Sequence, residues 1–296
     1  MGDSICYHSG EYINKSEALV GLDDAVWFEG AVYEFCRTYN HVPYFWEEHI
    51  DRLIRSARAV NIKMGLTAKQ IYDISLEVYN RNSENLAAED DLLIITRVTR
   101  GTASAGPTII IYAANLIPIY KEQAKYYQEG IHLVVASTRQ IPPQCLDPKI
   151  KSTNRYCNSL GDMEAKMDDP EAFGLLLDIY GFATECTRYN FFIVQNGELI
   201  TSKTTNCLQG ITRATILKLA EEEKVPHAEK EVGVYDFYNA DEIFITANSF
   251  TMYPVRKFNY MDLDGQIPGP VTQQLEAAFS RKVGVDIVKR VVDYKG

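Results

Sequence analysis

The first third of the chain alternates between strand patterns and helix patterns. Residues 31–39 form an apolar, β-prone run, Asn40 and His41 interrupt it, and residues 42–45 resume it, which predicts a β-hairpin. A helix is expected from Glu47, because apolar residues then recur at helical spacing. This apolar stripe consists of Ile50, Leu53, Ile54, Ala57 and Val60.

A second helix and two further strands follow. Thr67 precedes Gln70 by three residues, which is the spacing of a capping box, so a helix is predicted from there to about Asn80. The apolar runs 92–99 and 108–113 predict two strands on either side of a turn that contains Gly, Ser and Pro.

The second half of the chain also mixes strands with helices. A helix is predicted from about Thr212 to Lys224, and the Asn196-Gly197 pair predicts a hairpin between two strands. The predicted strands are 131–137, 174–179, 190–195, 198–201 and 242–247.

These elements predict an α/β (α+β) fold with two mixed α/β domains. A chain of 296 residues suggests two domains on the usual prior of roughly 150 residues each. Residues 117–130 have weak periodicity, and we interpret them as an interdomain linker. The expected domains are therefore a small N-terminal one at 1–116 and a larger C-terminal one at 131–296.

Charge and composition narrow the function classes. The chain carries 30 basic and 40 acidic side chains, for a formal net charge of −10. This balance argues against nucleic acid as a partner, since phosphate binding requires a basic face. No apolar run reaches the roughly 18–20 residues of a membrane span, so no membrane partner is expected.

Cysteine and histidine usage indicates an intracellular protein without a metal site. Six cysteines occur without a C-x-x-C pair, and five histidines lack metal-ligand spacing. Reduced thiols in a cytoplasmic protein are therefore expected. The N-terminal residues also lack the basic and apolar regions of a signal peptide.

The common nucleotide and hydrolase motifs give no support to those functions. The sequence has no G-x-G-x-x-G after a strand, no Walker loop and no G-x-S-x-G. Candidate chemistry must therefore be sought in individual residues.

Lys151 is the first such candidate, because Lys149 and Arg155 lie close to it in sequence. A lysine is usually a solvated surface charge. A lysine desolvated beside other cations instead has a lowered pKa and can form a Schiff base. Both interpretations stay open on the residues alone.

A possible anion site precedes the second-half helix. Gly210, Ile211 and Thr212 open that helix, and its N-terminal amides could bind a phosphate. The alternative is an ordinary N-cap threonine. Arg52 could pair with the same anion or could be an exposed helix charge.

Three further residues have two interpretations each. Glu185 follows an apolar strand and a glycine turn, and could be a surface residue or the proton partner of a buried heterocycle. Arg97 and Arg100 lie at a strand end, where they could bind a substrate carboxylate or be solvated.

Several segments between Gly30 and Phe279 match, in chain order, the sequence pattern of a known family. They are 31–34, 49–53, 56–57, 150–154, 184–185, 190–192, 208–213, 240–244 and 254–255. In this order they resemble the class IV aminotransferases, the pyridoxal 5′-phosphate (PLP) enzymes of fold type IV. That family includes branched-chain and D-amino-acid aminotransferases, (R)-selective amine transaminases and aminodeoxychorismate lyase.

The resemblance implies roles for the candidate residues and a cofactor held between the two domains. Lys151, in the larger domain, would carry the cofactor as an internal aldimine and move the substrate proton, and Glu185 would keep the pyridine nitrogen protonated. It would place Arg52 in the phosphate cup and Leu208 against the ring. The remaining implied cofactor ligands are Tyr156, Gly210, Ile211, Thr212, Asn248 and Ser249, and the implied substrate contacts are Phe28, Tyr33, Arg97 and Arg100.

The resemblance leaves the substrate open, because features of different members are mixed. Three features are similar to aminodeoxychorismate lyase: the run from Lys151 to Arg155, the Glu185-Cys186 pair and Asn248. Residues 98–101 are similar to D-amino-acid aminotransferases, and Arg97 to branched-chain enzymes. Transfer of an amino group from a branched-chain-like L-amino acid to a 2-oxo acid is favoured slightly over D-amino acids or (R)-amines.

Two alternatives and an assembly state complete the expectations. A PLP-dependent lyase similar to aminodeoxychorismate lyase is the first alternative. A catalytically silent binding protein on the same scaffold is the second, but such a protein would be expected to lack Lys151 or Glu185. The resemblance also implies a homodimer or a higher homo-oligomer.

Overall fold

The computed structural model describes residues 4–84, 86–87 and 90–294, which form two compact units. The first unit comprises Met1–Pro118 together with Ile150–Asn154, and the second comprises Ile119–Lys149 and Arg155–Gly296. The first three residues, which entered the signal-peptide prediction, lie outside the described residues.

The first unit is built on an antiparallel sheet. Its strands, within the described residues, are β1 (Ile5–His8), β2 (Glu11–Asn14), β3 (Val32–Tyr39), β4 (Val42–Pro43), β5 (Leu92–Val98) and β6 (Ile109–Asn115). Their order is β2-β1-β6-β5-β3-β4. The hairpin predicted at Asn40 and His41 is confirmed, and both residues have the positive φ that a two-residue primed turn requires.

The helices of this unit are α1 (Val26–Glu29), α2 (Trp46–Ala59) and α3 (Ala68–Ser83), with a short 3₁₀ helix at Lys15–Glu17. The predicted stripe of α2 supplies Leu53 and Ala57 to a core shared with α3 and the sheet. The predicted capping box is confirmed, since Thr67 accepts a hydrogen bond from the Gln70 amide and Gln70 accepts one from Thr67.

The second unit is built on a mixed sheet. Its strands in the described ranges are β7 (Ile131–Arg139), β8 (Phe173–Leu177), β9 (Ala183–Cys186), β10 (Asn190–Gln195), β11 (Glu198–Ser202), β12 (His227–Lys230), β13 (Glu242–Ala247), β14 (Thr251–Phe258) and β15 (Met261–Asp262). The order is β12-β11-β10-β13-β14-β7-β8-β9, and β15 pairs with β14. The Asn196-Gly197 hairpin between β10 and β11 is confirmed.

Six helices of the described residues lie before, between and after these strands along the chain. They are α4 (Ile117–Glu129), α5 (Tyr156–Asp168), α6 (Ile211–Glu222), α7 (Val234–Tyr238), α8 (Pro270–Val283) and α9 (Lys289–Val292). Large apolar side chains such as Phe191, Phe192 and Phe244 are completely buried in the core. No helix in the described part of the chain is long and apolar enough to cross a membrane.

The structure differs from the sequence prediction at the domain boundary. Residues 117–130 were expected to be a linker, but α4 occupies Ile117–Glu129 and buries Tyr120 and Tyr127, seven residues apart on one helical face. Lys151 was expected in the larger domain, whereas its segment Ile150–Asn154 belongs to the first unit. Ile150–Asn154 lies in the first unit because its backbone pairs with the start of β3, and local sequence patterns do not reveal such a pairing.

Candidate functional site

Lys151 lies beside the N-terminal end of β3. The Tyr33 amide donates to the Lys151 carbonyl at 3.0 Å, and Ser152 forms a bridge with Val32. The Lys151 amide donates to Ser56 Oγ of α2 at 3.1 Å. The segment therefore adds to the edge of the sheet that β4 leaves uncovered, and it is fixed there by both α2 and β3.

The Lys151 side chain is half-buried above two aromatic rings. Its Nζ lies 4.8 Å from the centroid of Tyr33 and 5.7 Å from that of Phe35. Rings at these distances attract an ammonium through their negative faces. The amine is thus held in one region rather than extended into solvent.

Arg52 is buried on α2, with 6% of its surface exposed, and it forms a bidentate pair with Glu34 of β3. Its Nε donates to Glu34 Oε1 at 2.5 Å, and its Nη2 donates to Oε2 at 2.9 Å. The interpretation of Arg52 as an exposed helix charge is therefore wrong. A bidentate pair fixes the plane of the guanidinium as well as its position.

His49 completes this charged cluster. It lies three residues before Arg52, on the same face of α2, and its Nδ1 donates to Glu34 Oε2 at 2.8 Å. Burial would raise the pKa of Glu34, but Arg52 and His49 outweigh it and hold that pKa well below its usual value. Burial lowers the pKa of His49, and Arg52 and Lys151 lower it further against the opposing effect of Glu34.

The neutral imidazole that results leaves one nitrogen for another group. Because Nδ1 carries the hydrogen that Glu34 accepts, Nε2 of neutral His49 is an acceptor. Within the described residues this buried atom has no hydrogen-bond partner. Such an atom typically meets a water or a ligand donor.

The four residues predicted to contact substrate also lie in the first unit. Tyr33 lies beneath Lys151, as described above, and Phe28 of α1 is 88% exposed. Arg97 donates from Nε to the Tyr112 hydroxyl at 3.2 Å. Arg100 donates to Glu29 at 2.5 Å and to the Val60 carbonyl at 3.0 Å, so it is partnered rather than only solvated.

In the second unit, Glu185 is buried on β9 with a donor on each oxygen. Gln140 Nε2 donates to Oε1 at 3.2 Å, and the Leu208 amide donates to Oε2 at 3.0 Å. Glu185 is therefore not a surface residue. Burial, followed by the charge of Glu185, raises the pKa of the Cys186 thiol and raises that of Cys207 to about 11.

The loop that holds Glu185 leads directly into α6. Gly210 is the N-cap, so Thr212 is the second residue of the helix and the N-cap threonine interpretation is wrong. A Cβ built at Gly210 would collide with the Asn190 side chain, which donates to the Leu208 carbonyl at 3.1 Å. Glycine is thus required for the close approach of this loop. The first turn of α6 presents backbone N–H groups without intrahelical acceptors.

The remaining predicted cofactor residues are spread over the second unit. Leu208 is buried next to Glu185. Asn248 and Ser249 form the turn between β13 and β14 and are half-buried. Tyr156 is the first residue of α5, and 83% of its side chain is exposed.

The predicted residues therefore form two groups, one in each unit. Lys151, Arg52 and Tyr33 meet around β3 and α2, whereas Glu185, Leu208 and the start of α6 meet beside β9. Sequence reasoning missed Glu34, His49 and Gln140. The three-residue spacing of His49 and Arg52 was the available signal for His49, but no local pattern marked Gln140.

Comparisons with known proteins give the family. The model for amino-transferase class IV matches residues 31–258, and the chain belongs to that family. Aminotransferases of this family depend on PLP.

Two curated relatives and one solved structure are similar over nearly their full length. A putative branched-chain-amino-acid aminotransferase of Methanocaldococcus jannaschii is 34% identical, over 92% of this chain and 94% of the relative. A D-alanine aminotransferase of Bacillus licheniformis is 29% identical, over 96% and 98%. The branched-chain amino acid aminotransferase of Escherichia coli shares the fold with a TM-score of 0.85 and 26% identity, over 94% of this chain and 93% of that one.

Proposed function

We propose that this aminotransferase uses Lys151 as the residue that holds PLP and transfers the substrate proton. The observation that carries the proposal is the placement of the Lys151 amine, half-buried above Tyr33 and Phe35 and tied through its backbone to α2. An amine that is partly shielded from water and fixed in position is suited to covalent and proton-transfer chemistry.

The donor set of the chain fits PLP. An aldehyde requires an amine, which Lys151 supplies. A pyridine nitrogen requires an acid, and Glu185 is buried with both oxygens oriented by donors. A phosphate requires a cation and amides, for which Arg52 and the first turn of α6 are the candidates. Leu208, Gly210, Ile211, Thr212, Asn248, Ser249 and Tyr156 stay predicted ligands.

Each of these residues has a separate role in the proposed reaction. When bound, PLP supplies a ring that withdraws electrons from the substrate Cα. Lys151 Nζ accepts the proton from that carbon and so acts as a base. It later returns a proton on the cofactor side of the conjugated system and so acts as an acid. Glu185 holds a proton on the ring nitrogen, and Glu34 keeps the Arg52 guanidinium in one orientation.

For the substrate, we propose a branched-chain-like L-amino acid as amino donor and a 2-oxo acid as acceptor. The 34% identity to the Methanocaldococcus jannaschii protein supports this choice, and the 29% identity to a D-alanine aminotransferase makes D-amino acids the next class. Phe28, Arg97 and Arg100 stay predicted substrate contacts. The homodimer and the cytoplasmic location also stay predictions.

A donor and acceptor screen tests the proposed substrate class. L-leucine, D-alanine and (R)-1-phenylethylamine are each incubated with 2-oxoglutarate or pyruvate and the PLP-loaded protein. We expect the highest kcat/KM with L-leucine and no turnover without an acceptor. Product formation without any 2-oxo acid would instead support the lyase alternative, and a preference for D-alanine would contradict the L-amino acid assignment.

A matched pair of lysine variants tests the role of Lys151. Lys151→Ala should lower turnover by at least about 10³-fold, because it removes both the covalent anchor and the proton carrier. Lys149→Ala, two residues away, should retain activity, since Lys149 forms only a partly exposed pair with Asp147. Full activity in Lys151→Ala would reject the assignment.

A further inference from the structure

We propose that Gln140 is a positioning residue for Glu185, holding that carboxylate oriented toward the ring nitrogen of the cofactor. The inference rests on the proposed role of Glu185. It adds a side chain to the reaction machinery that no sequence motif marks.

The Gln140 side chain is built into the fold. It follows β7 directly, is only 5% exposed, and donates its backbone amide to the Leu177 carbonyl of β8 at 2.9 Å. Its Nε2 donates to Glu185 Oε1 at 3.2 Å. Its Oε1 accepts from Cys157 Sγ at 3.6 Å.

The contact with Glu185 fixes which end of the amide faces that residue. A carboxylate accepts, so it pairs with the amide nitrogen, whereas the reverse orientation would place two oxygens against each other. The Cys157 thiol has one hydrogen and lies within reach of both Gln140 Oε1 and Asn158 Oδ1, so it is compatible with this orientation without deciding it. Glu185 therefore selects one orientation of Gln140.

Of the two donors to Glu185, Gln140 is the one supplied by a side chain. The other oxygen of Glu185 accepts from the Leu208 backbone amide, whose position is fixed because the Leu208 carbonyl accepts from Asn190. A backbone donor is the same for every residue type at position 208. Of these two donors, only the one from residue 140 depends on side-chain identity.

The chemistry of these donors suits a group that must attract a proton. Both N–H groups stabilise the ionised carboxylate through hydrogen bonds but carry no charge of their own. A hydrogen bond to a charged group corresponds to roughly a tenfold or larger effect on an equilibrium constant.

Binding of two cofactor analogues to the apoprotein tests the proposal without relying on activity. The ligands are PLP and its analogue with carbon in place of the ring nitrogen, titrated by quenching of protein fluorescence. We expect the wild type to bind PLP at least about tenfold more tightly than the analogue. Gln140→Met, which is nearly isosteric, should lose most of that preference.

Matched variants separate the inference from the proposed function. Gln144→Met introduces the same change at an exposed position four residues away and should keep the wild-type preference. Glu185→Gln should abolish the preference. If Glu185→Gln abolishes it while Gln140→Met retains it, Gln140 is not a positioning residue and the role of Glu185 stands.

Two other results would also overturn the inference. If Gln140→Met weakens both ligands equally, the residue has only a structural role. If Glu185→Gln keeps the preference, Glu185 does not face the ring nitrogen, and the proposed role and the inference both fail. Gln140→Asn, which stays polar but withdraws the amide by one methylene, gives the same readout if the methionine variant does not fold.

Discussion

Two buried carboxylates, one in each unit, are held by different chemistry. Glu34 is bound by the Arg52 guanidinium and by His49, so its charge is balanced within the cluster. Glu185 accepts one hydrogen bond from the Gln140 side-chain amide and one from the Leu208 backbone amide, and both of these donors are neutral.

The difference matches what each carboxylate is proposed to do. Glu34 acts through its partner, because pairing fixes the Arg52 side chain in a buried position. Glu185 acts directly, and balancing its charge with a cation would weaken its hold on a protonated ring nitrogen. The comparison predicts that the two sites respond differently to loss of their carboxylate.

The largest stability effect is expected at Glu34. Glu34→Ala leaves Arg52 buried without its bidentate partner, and breaking a buried pair in this way costs about 3–5 kcal/mol of unfolding free energy. Urea denaturation of the apoprotein measures the loss. Glu29→Ala, which breaks the exposed pair with Arg100, serves as the control and should cost less than about 1 kcal/mol. Equal losses in the two variants would contradict the special role of the buried cluster.

Glu276 is a third buried carboxylate, and it differs from the other two because its charged neighbours, Asp286 and Glu242, are acids. Burial, followed by Asp286 and Glu242, raises the pKa of Glu276 on α8 to about 8. The folded state therefore binds this proton more tightly than the unfolded state, whose value is near 4.5. The contribution of protonated Glu276 to the free energy of unfolding is fully present below pH 4.5 and is lost as the pH rises to about 8.

Glu276→Gln removes that loss. We expect the stability advantage of the variant over the wild type to grow by about 4 kcal/mol between pH 5 and pH 9, since the pKa shift from 4.5 to about 8 corresponds to roughly 1.4 kcal/mol per unit. Thermal or urea unfolding at the two pH values measures both differences. A variant whose advantage does not grow with pH would show that Glu276 ionises without cost in the folded protein.

The smallest stability effect is expected at Glu185. Glu185→Gln should cost about 1.5 kcal/mol, since one buried neutral donor loses its acceptor but neither of the two donors carries a charge. The same substitution should nevertheless slow proton removal from the substrate strongly. Stopped-flow measurement of the first half-reaction, together with urea unfolding, separates the two effects. A large stability loss with an unchanged rate would reverse the comparison.

Much of the fold could be predicted because local signals agreed with tertiary structure. The Asn40-His41 and Asn196-Gly197 turns and the Thr67 cap each act within a few residues. The helix α5 was not predicted, and its exposed apolar residues explain why, since a stripe that faces outward does not mark a core. That stripe consists of Tyr156, Leu160, Met163 and Met167.

The candidate site could be predicted only in part, because its partners are distant in sequence. The order of segments singled out Lys151 and Glu185, whereas the burial of Arg52 depends on Glu34, eighteen residues earlier. Gln140 and Glu185 are separated by forty-five residues. Such contacts arise when β7 and β9 are both placed next to β8, which no short motif encodes.

Reduction of the PLP-loaded protein with borohydride tests the central claim most directly. Borohydride makes the bond between cofactor and protein permanent, and mass spectrometry of the digested protein then locates the modified residue. The account predicts a single phosphopyridoxyl group on Lys151. A group on Lys149 or on any other lysine, or a protein that takes up no cofactor, would contradict it.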